Sequence, residues 1–315
     1  MISVIIPVYN RQASAIRALQ SASAQQVERG QTLEIILVDD ASDPPLDVGS
    51  LANTRVIRLD RNAGPAAARN RGIGSSQGEW IAFLDSDDLW RPDKLARQMA
   101  LVSGWPADAD KAKLGVACGF YHPNRSSRRL EYRLPATAAS VLEFASGCWI
   151  APGSTLLLHR TAFDATGLFD ERLRRLEDYD WLLRFGMAGG RIEVADYPGA
   201  IIAPSGLANS QIVAECVRLL DAKYGAGKEI ELRRPAWSRF AAYLALERGV
   251  ADFGSGRPAS GLQHVVHSLL LSPRWRPRLL SYGIRRADIP QAVSDLYGEL
   301  VRINEDVRNP QPRRP

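Results

Sequence analysis

Cysteine is scarce: Cys118, Cys148 and Cys216 are the only three in 315 residues. They are too few and too unpatterned for a disulfide framework or a zinc site, and they read as reduced core thiols in a cytoplasm. No apolar run approaches the roughly 20 residues of a membrane-spanning helix. Met1 leads straight into an apolar strand, so no signal peptide is expected and the chain reads as cytoplasmic, at most peripheral on the inner face of a membrane. G-x-G-x-x-G is missing after the first strand, where Pro7-Val-Tyr-Asn10 stands instead, and G-x-x-x-x-G-K-[ST] is missing throughout. These absences exclude a nicotinamide dehydrogenase and a Walker-type NTPase. The Gly-rich loop with Arg and Lys of a sugar nucleotidyltransferase is also lacking. Histidine is limited to His122, His159, His264 and His267, none in a motif; His264 and His267, at i and i+3, read as a wet helix face. The net charge of +5 is modest, and no RNA-binding signature accompanies it, so no nucleic-acid partner is expected.

What the chain does have is strands that end in acids. Trp80-Ile-Ala-Phe-Leu-Asp-Ser-Asp-Asp-Leu-Trp90 runs from an apolar strand into Asp85, Asp87 and Asp88. Charge at the end of a buried strand is costly unless paired, and at the carboxyl edge of an open α/β sheet the partner is usually a ligand. A hard divalent cation carrying a diphosphate suits such oxygens. A solvated turn leading to a helix with Pro92 in its first turn accounts for the same residues, and the segment alone leaves both readings open. An EF-hand is excluded, because Trp90 stands where its Gly belongs and Ala96 where its Glu belongs.

Residues 2–11 form an apolar strand stopped by Pro7, followed by a helix over 11–26 with Ile16, Ala18, Leu19 and Ala22 inward. Residues 33–42 repeat the design, a strand followed by Asp39 and Asp40. A third strand covers 55–60, an Ala-rich helix begins at Gly64-Pro65, and a fourth strand covers 80–84. Strands alternating with helices predict a parallel sheet with both acid clusters on one rim.

Ile5-Ile-Pro-Val-Tyr-Asn-Arg11, Val38-Asp-Asp-Ala-Ser42, Asn62-Ala-Gly-Pro-Ala-Ala-Ala-Arg-Asn-Arg-Gly72 and Phe83-Leu-Asp-Ser-Asp-Asp88 resemble the successive signatures of family 2 glycosyltransferases. Gly153-Ser-Thr-Leu-Leu-Leu-His-Arg160, Gly167-Leu-Phe-Asp-Glu171 and Glu177-Asp-Tyr-Asp-Trp-Leu-Leu-Arg184 resemble the family's acceptor half in order and spacing. The likeness covers roughly residues 1–205. It implies an α/β GT-A fold, a Rossmann-like mixed, mostly parallel sheet. Residues 1–208 would form the transferase domain, with a nucleotide-binding half (1–104) and an acceptor half (105–208), and residues 209–315 a helical extension.

The resemblance also implies an activity: metal-dependent, inverting transfer from a nucleotide-diphosphate donor, a UDP-sugar, to a glycan or lipid-linked glycan in cell-surface polysaccharide synthesis. Asp87, flanked by Asp85, would hold Mn²⁺ or Mg²⁺, with Asp85 or Asp88 contacting it through water or binding the ribose. Pro7, Val8 and Tyr9 would line the base pocket, Tyr9 by stacking, and Asp40 would accept the uracil N3–H. Asn62, Gly64 and Arg69 lie where a phosphate- or ribose-facing loop enters a helix, whose N-terminus favours anions; Ser86 joins the donor set. Asp178 becomes the general base, ionised at neutral pH, and a single base implies single displacement. Trp149, Ser154 and Glu177 are placed on the acceptor side. Without the family, Glu177 and Asp178 read as first-turn acids favoured by the helix dipole, Arg69 equally as a solvated helix face, and Asp180 with Arg184 as a surface pair.

One departure stands out. Ala203 occupies the place where the family often carries a His, leaving Ser205, Asn209 or a water to substitute. This motivates an alternative, a non-catalytic or weakly active nucleotide-sugar- or glycan-binding relative, against which the retention of Asp87 and Asp178 speaks. Further on, helices are predicted over about 210–224, 237–252, 258–271 and 291–304, the middle two as a hairpin around Gly254-Ser-Gly-Arg-Pro258. The arginines from Arg274 to Arg286, with Trp275, suit peripheral contact with anionic lipid headgroups; a solvated or packed surface accounts for them equally.

Overall fold

The structure is a computed structural model describing all residues except 29, 50–51, 124–128, 205–208, 226, 274–282, 286–288 and 309–315, with the backbone alone for 283–285, 299–300 and 302–308. Ser205 and, apart from a short backbone stretch, the arginine-rich segment from Arg274 to Arg286 lie outside the described residues.

Strand β1 (Ile2–Val8) lies inside the sheet because it can be covered on both faces: Val4, Ile5 and Ile6 have no exposed surface. It pairs in parallel with β2 (Leu33–Asp39) and β4 (Trp80–Phe83), and β3 (Thr54–Arg58) adds in parallel beyond β2. The connecting helices α1 (Gln12–Ser23) and α2 (Pro65–Ser75) bury small residues, Ala15, Ala18 and Ala22 in one and Ala66, Ala67 and Ala68 in the other, which lets them sit close to the strands. Each fully buried Ile or Leu in this layer contributes about 1.5–3 kcal/mol.

The second half is built differently. After β5 (Leu89–Trp90) and α3 (Lys94–Ser103) come β6 (Leu114–Pro123), β7 (Leu130–Leu134), the short helices α4 (Val141–Phe144) and α5 (Pro152–Thr155), β8 (Leu157–His159), α6 (Thr161–Thr166), α7 (Glu177–Met187) and β9 (Arg191–Ile201). With β10 (Gly283–Arg285) the main sheet runs β10-β7-β6-β8-β4-β1-β2-β3, and β9 pairs with β5 and β6. The expected parallel character holds for the nucleotide-side strands and fails here. β8 is antiparallel to β4 and β6, β7 to β6 and β10, and β5 to β9; β6 with β9 is the parallel pair. A parallel neighbour needs a long crossover, whereas the short link from β6 to β7 permits only an antiparallel return.

The C-terminal helices α8 (Ser210–Lys223), α9 (Ala236–Gly254), α10 (Pro258–Leu271) and α11 (Gln291–Arg308) follow, and α9 with α10 forms the predicted hairpin. α8 and α9 share the core of the sheet domain: Cys216, Leu220, Phe240, Tyr243 and Leu244 belong to one buried cluster with Ile5, Phe83 and Trp181. Tyr243 packs its ring 4.5 Å from Tyr179 of α7. This docking corrects the reading of Asp180 and Arg184 as a surface pair. Asp180 has no exposed surface, and besides Arg184 Nε at 3.0 Å it receives Lys223 Nζ at 2.9 Å and the Tyr224 hydroxyl at 2.8 Å. The i, i+4 spacing fits a surface pair, but α8 covers it.

Candidate active site

At the ends of β1 and β2 the acids first hold loops. Asp39 has no exposure and accepts the backbone N–H of Ser42 (2.9 Å) and Leu46 (3.2 Å) together with Arg58. Asp40, 4 % exposed, accepts the N–H of Ala63 (2.7 Å) on one oxygen and of Gly64 (2.9 Å) on the other. Gly64, at φ 95°, leads into Pro65 at the start of α2, a conformation that favours glycine. Asn62 is tied to Arg174 by a 2.5 Å hydrogen bond. Beside these loops lies a groove of about 150 Å³ lined by Asn10, Arg11, Ser42 and Leu46 among others. Tyr9 is exposed and Pro7 half-buried, but Val8 is 2 % exposed with its side chain in the core, so its expected place in a base pocket is corrected.

The acidic turn after β4 is braced from several elements. Asp85 pairs with Arg69 at 2.7 Å, and its N–H donates to Ser154 Oγ. A side chain at residue 153 would place Cβ 2.3 Å from Asp85 Oδ2, which is why the start of α5 is glycine there. Asp87 forms an ion pair with Arg11. Asp88 is 5 % exposed, accepting Ser154 Oγ–H at 2.5 Å and Ala203 N–H at 2.7 Å. Burial, and then the charges of Asp87 and Asp85, push the Asp88 carboxyl well above the usual carboxylate range. Ser86 is 6 % exposed and presents little surface to a donor.

Opposite, α7 opens with Glu177, Asp178 and Asp180 in its first turn, where the helix dipole favours acids. Asp178 is half-buried; its Oδ1 accepts the N–H of Tyr179 at 2.7 Å and its Oδ2 lies 3.7 Å from Cys148 Sγ. Glu177 is 6 % exposed and bonds Arg69 at 2.7 Å. Burial and neighbouring Asp178 raise its pKa, and Arg69 opposes the rise. Arg69 is 5 % exposed, so it is no solvated helix face. Burial disfavours its charge, yet Asp85, Glu177 and Asp178 together raise its pKa above the ordinary value.

Three expected residues are buried or already engaged. Trp149 is 1 % exposed, and its indole N–H donates to the Ala136 carbonyl at 2.8 Å, so it is core. Ser154, also 1 % exposed, braces the acidic turn through Asp88. Asn209 cannot stand in for the missing histidine, since its side chain caps α8 by accepting the Gln211 N–H at 2.8 Å. Conversely, the sequence reading passed over Arg11, Arg174 and Cys148. The Cys148 thiol is held well above its ordinary pKa by burial, then by Asp178 and by Glu247 of α9, so it faces Asp178 as an S–H donor. Only Arg11 carried a signal, its place in the first motif.

A divalent cation fits the acidic turn on the chemistry of the donors. Three carboxylates stand close enough for Asp85 and Asp87 to raise Asp88, and the side chains of Asp85 and Asp87 are the accessible ones, at 37 % and 19 % exposure. Among the described residues no three His, Cys, Asp or Glu side chains form a ready cage. Mg²⁺-type binding requires no such cage, since one or two carboxylates share the ion with substrate phosphates.

Fold and rim together define an α/β protein with an acidic turn at its strand ends opposite a half-buried carboxylate. The family model described as "Glycosyl transferase family 2" matches residues 3–167, more than half of the chain, and the chain belongs to that family. It is 35 % identical over 210 residues to the succinoglycan biosynthesis protein ExoO of Rhizobium meliloti, covering 64 % of this chain and 60 % of that one. Over 207 residues it is 27 % identical to the amylovoran biosynthesis glycosyltransferase AmsB of Erwinia amylovora, covering 62 % and 67 %. The matched stretch thus spans less than two thirds of the length of ExoO. Among solved structures, S. aureus TarS 1-349 in complex with UDP superposes with a TM-score of 0.57 at 18 % identity, covering 99 % of this chain and 93 % of that one. Its complex with UDP-GlcNAc gives 0.58 at 19 % identity with the same coverage. The fold is the expected GT-A type, a curled mixed sheet with C-terminal helices.

Proposed function

We propose that the chain transfers a sugar from a UDP-sugar to a glycan or lipid-linked glycan of a surface polysaccharide, with inversion, using Asp178 as the general base. The observation that carries this reading is the Arg69 bridge. One buried guanidinium, 2.7 Å from Asp85 and 2.7 Å from Glu177, ties the acidic turn after β4 to the first turn of α7. Asp178 also acts on Arg69, so the bridge brings the acidic turn and the proposed base to the same guanidinium. The names of ExoO and AmsB support a polysaccharide context, and the UDP and UDP-GlcNAc complexes of TarS support the donor class.

In this reading Asp87 and Asp85 hold Mn²⁺ or Mg²⁺, which when bound supplies charge neutralisation for the departing nucleoside diphosphate. Asp178 accepts the proton of the acceptor hydroxyl as that oxygen bonds to the anomeric carbon and the carbon–diphosphate bond breaks. Cys148 and the Tyr179 N–H hold the two oxygens of Asp178 in place. Exposed Tyr9 is free to stack on a base, and Asp40, while fixing the loop at 63–64, keeps a lone pair on each oxygen for a base N–H. Residues 1–208 carry this chemistry, and the helices after them shape the acceptor side. Contact of the segment from Arg274 to Arg286 with an anionic membrane belongs to the same proposal; among the described residues no helix is long and apolar enough to cross a membrane.

Ala203 favours the second reading, a binding-only relative. The two separate on donor hydrolysis. With Mn²⁺ and a UDP-sugar but no acceptor, an enzyme slowly releases UDP, whereas a binding-only protein shows donor-dependent thermal stabilisation and no release.

A further inference from the structure

The donor and base groups use nothing from the outer face of the C-terminal helices, yet α8, α9 and α10 and the link between α8 and α9 enclose a cleft of about 850 Å³. That is the size of a typical small-molecule site. Leu232, Trp237, Leu244 and Leu271 give it an apolar lining, and Lys228, Arg234 and Arg248 give it positive charge against one carboxylate, Asp221.

One other cation on this wall is already matched, Arg233 with Glu231 at 2.9 Å, and the His264 ring lies 3.2 Å from Asp252. Among the described residues no ion pair within 4 Å engages Arg234 or Arg248, and Lys228 acts on Asp221 only at longer range. The Arg234 guanidinium lies 5.9 Å from the Trp237 ring, at the junction of charge and apolar surface. Arg248 has its Nε buried without a hydrogen-bond partner. The acid that acts on it, Asp252, already receives Ser210, Ser260 (2.6 Å), Arg257 (3.0 Å) and His264. A buried donor left unpaired costs about 1–3 kcal/mol, more for a charged group. An anionic group in the cleft would meet these cations, and an apolar body attached to it would fill the space over Trp237 and the leucines.

We propose that this cleft binds an anionic amphiphile, an organic phosphate on an apolar chain. The site is separate from the donor rim and does not depend on the reading of it. It touches the base helix at one point: Tyr224 lines the cleft and donates its hydroxyl to Asp180 of α7.

The test is calorimetric titration of the full chain, with the donor site saturated by UDP and Mn²⁺, using octyl phosphate below its micelle concentration, octanol and inorganic phosphate. Octyl phosphate should bind at least about tenfold tighter than either fragment. Arg234→Gln with Arg248→Gln should lower that affinity about tenfold or more, with unchanged UDP binding. Should the double variant fail to fold, exposed Lys228→Gln and Trp237→Leu carry the same expectation for charge and for chain. Competition for octyl phosphate by phosphatidic acid in phosphatidylcholine vesicles supports a bilayer source, and binding without competition supports a soluble one. Equal affinity for octanol and octyl phosphate, or an undiminished affinity in the variants, overturns the proposal.

Discussion

Replacing Arg69 with Met keeps much of the buried volume and removes the one cation between Asp85 and Glu177. The two arms are unequal. Asp85 is 37 % exposed, so water screens its loss and its contribution is discounted. Glu177 is 8 % exposed on its side chain and beside Asp178, so it is left as a buried charge without a partner. Breaking a buried pair in this way costs about 3–5 kcal/mol. The sign with pH follows from the direction of the shift. Glu177 already has a raised pKa, from burial first and Asp178 next, and losing Arg69 raises it further. A carboxyl whose folded pKa is raised binds its proton more tightly in the native state, so stability falls as pH rises above the ordinary value near 4.5. Urea unfolding followed by tryptophan fluorescence should therefore show a larger loss near neutral pH than in mild acid. Adding Glu177→Gln should recover much of the loss, a non-additive pair. An equal loss at both pH values, or none, would refute this placement of charge.

Other outcomes follow from the same contacts. Asp87→Ala should stay folded and lose Mn²⁺-dependent UDP binding; affinity for UDP with Mn²⁺ equal to wild type would move the cation elsewhere. Asp180→Ala strips Arg184 of its carboxylate and leaves Lys223 only Asp170, at 3.1 Å; it should cost about 3 kcal/mol in chemical unfolding, and a loss below 1 kcal/mol would show that the brace is idle. Lys94 has no exposed surface and burial lowers its pKa to about 8, so between that pH and 10.5 the unfolded chain holds a proton that the native one lacks. Wild-type stability should rise over that interval by on the order of 3 kcal/mol relative to Lys94→Met; parallel pH profiles for the two would contradict it.

The nucleotide half was readable because its signals are local. Apolar runs closed by acids mark β2 and β4, an apolar run interrupted by Pro7 marks β1, and Gly64-Pro65 marks the start of α2. The acceptor half was less so. The short link after β6 forces an antiparallel β7, but where that pair sits in the sheet depends on β9 and β10, far along the chain. The roles of Asp180, Trp149 and Ser154 were hidden for a related reason: each is decided by what covers it, α8 for Asp180, the core for Trp149 and the acidic turn for Ser154. Arg69 shows the limit most clearly. Its helix position admitted a solvated face, and only the fold brings Asp85 and Glu177, 92 residues apart in the chain, to its two ends.

The most direct measurement is turnover by Asp178→Asn, a change that keeps the side chain's shape and removes its basicity. UDP release in the presence of donor, Mn²⁺ and acceptor should fall by a factor on the order of 10² or more, while UDP binding and the melting temperature stay at wild-type values. Turnover near wild type in that folded, donor-binding variant would take the base away from Asp178 and contradict the proposed transfer.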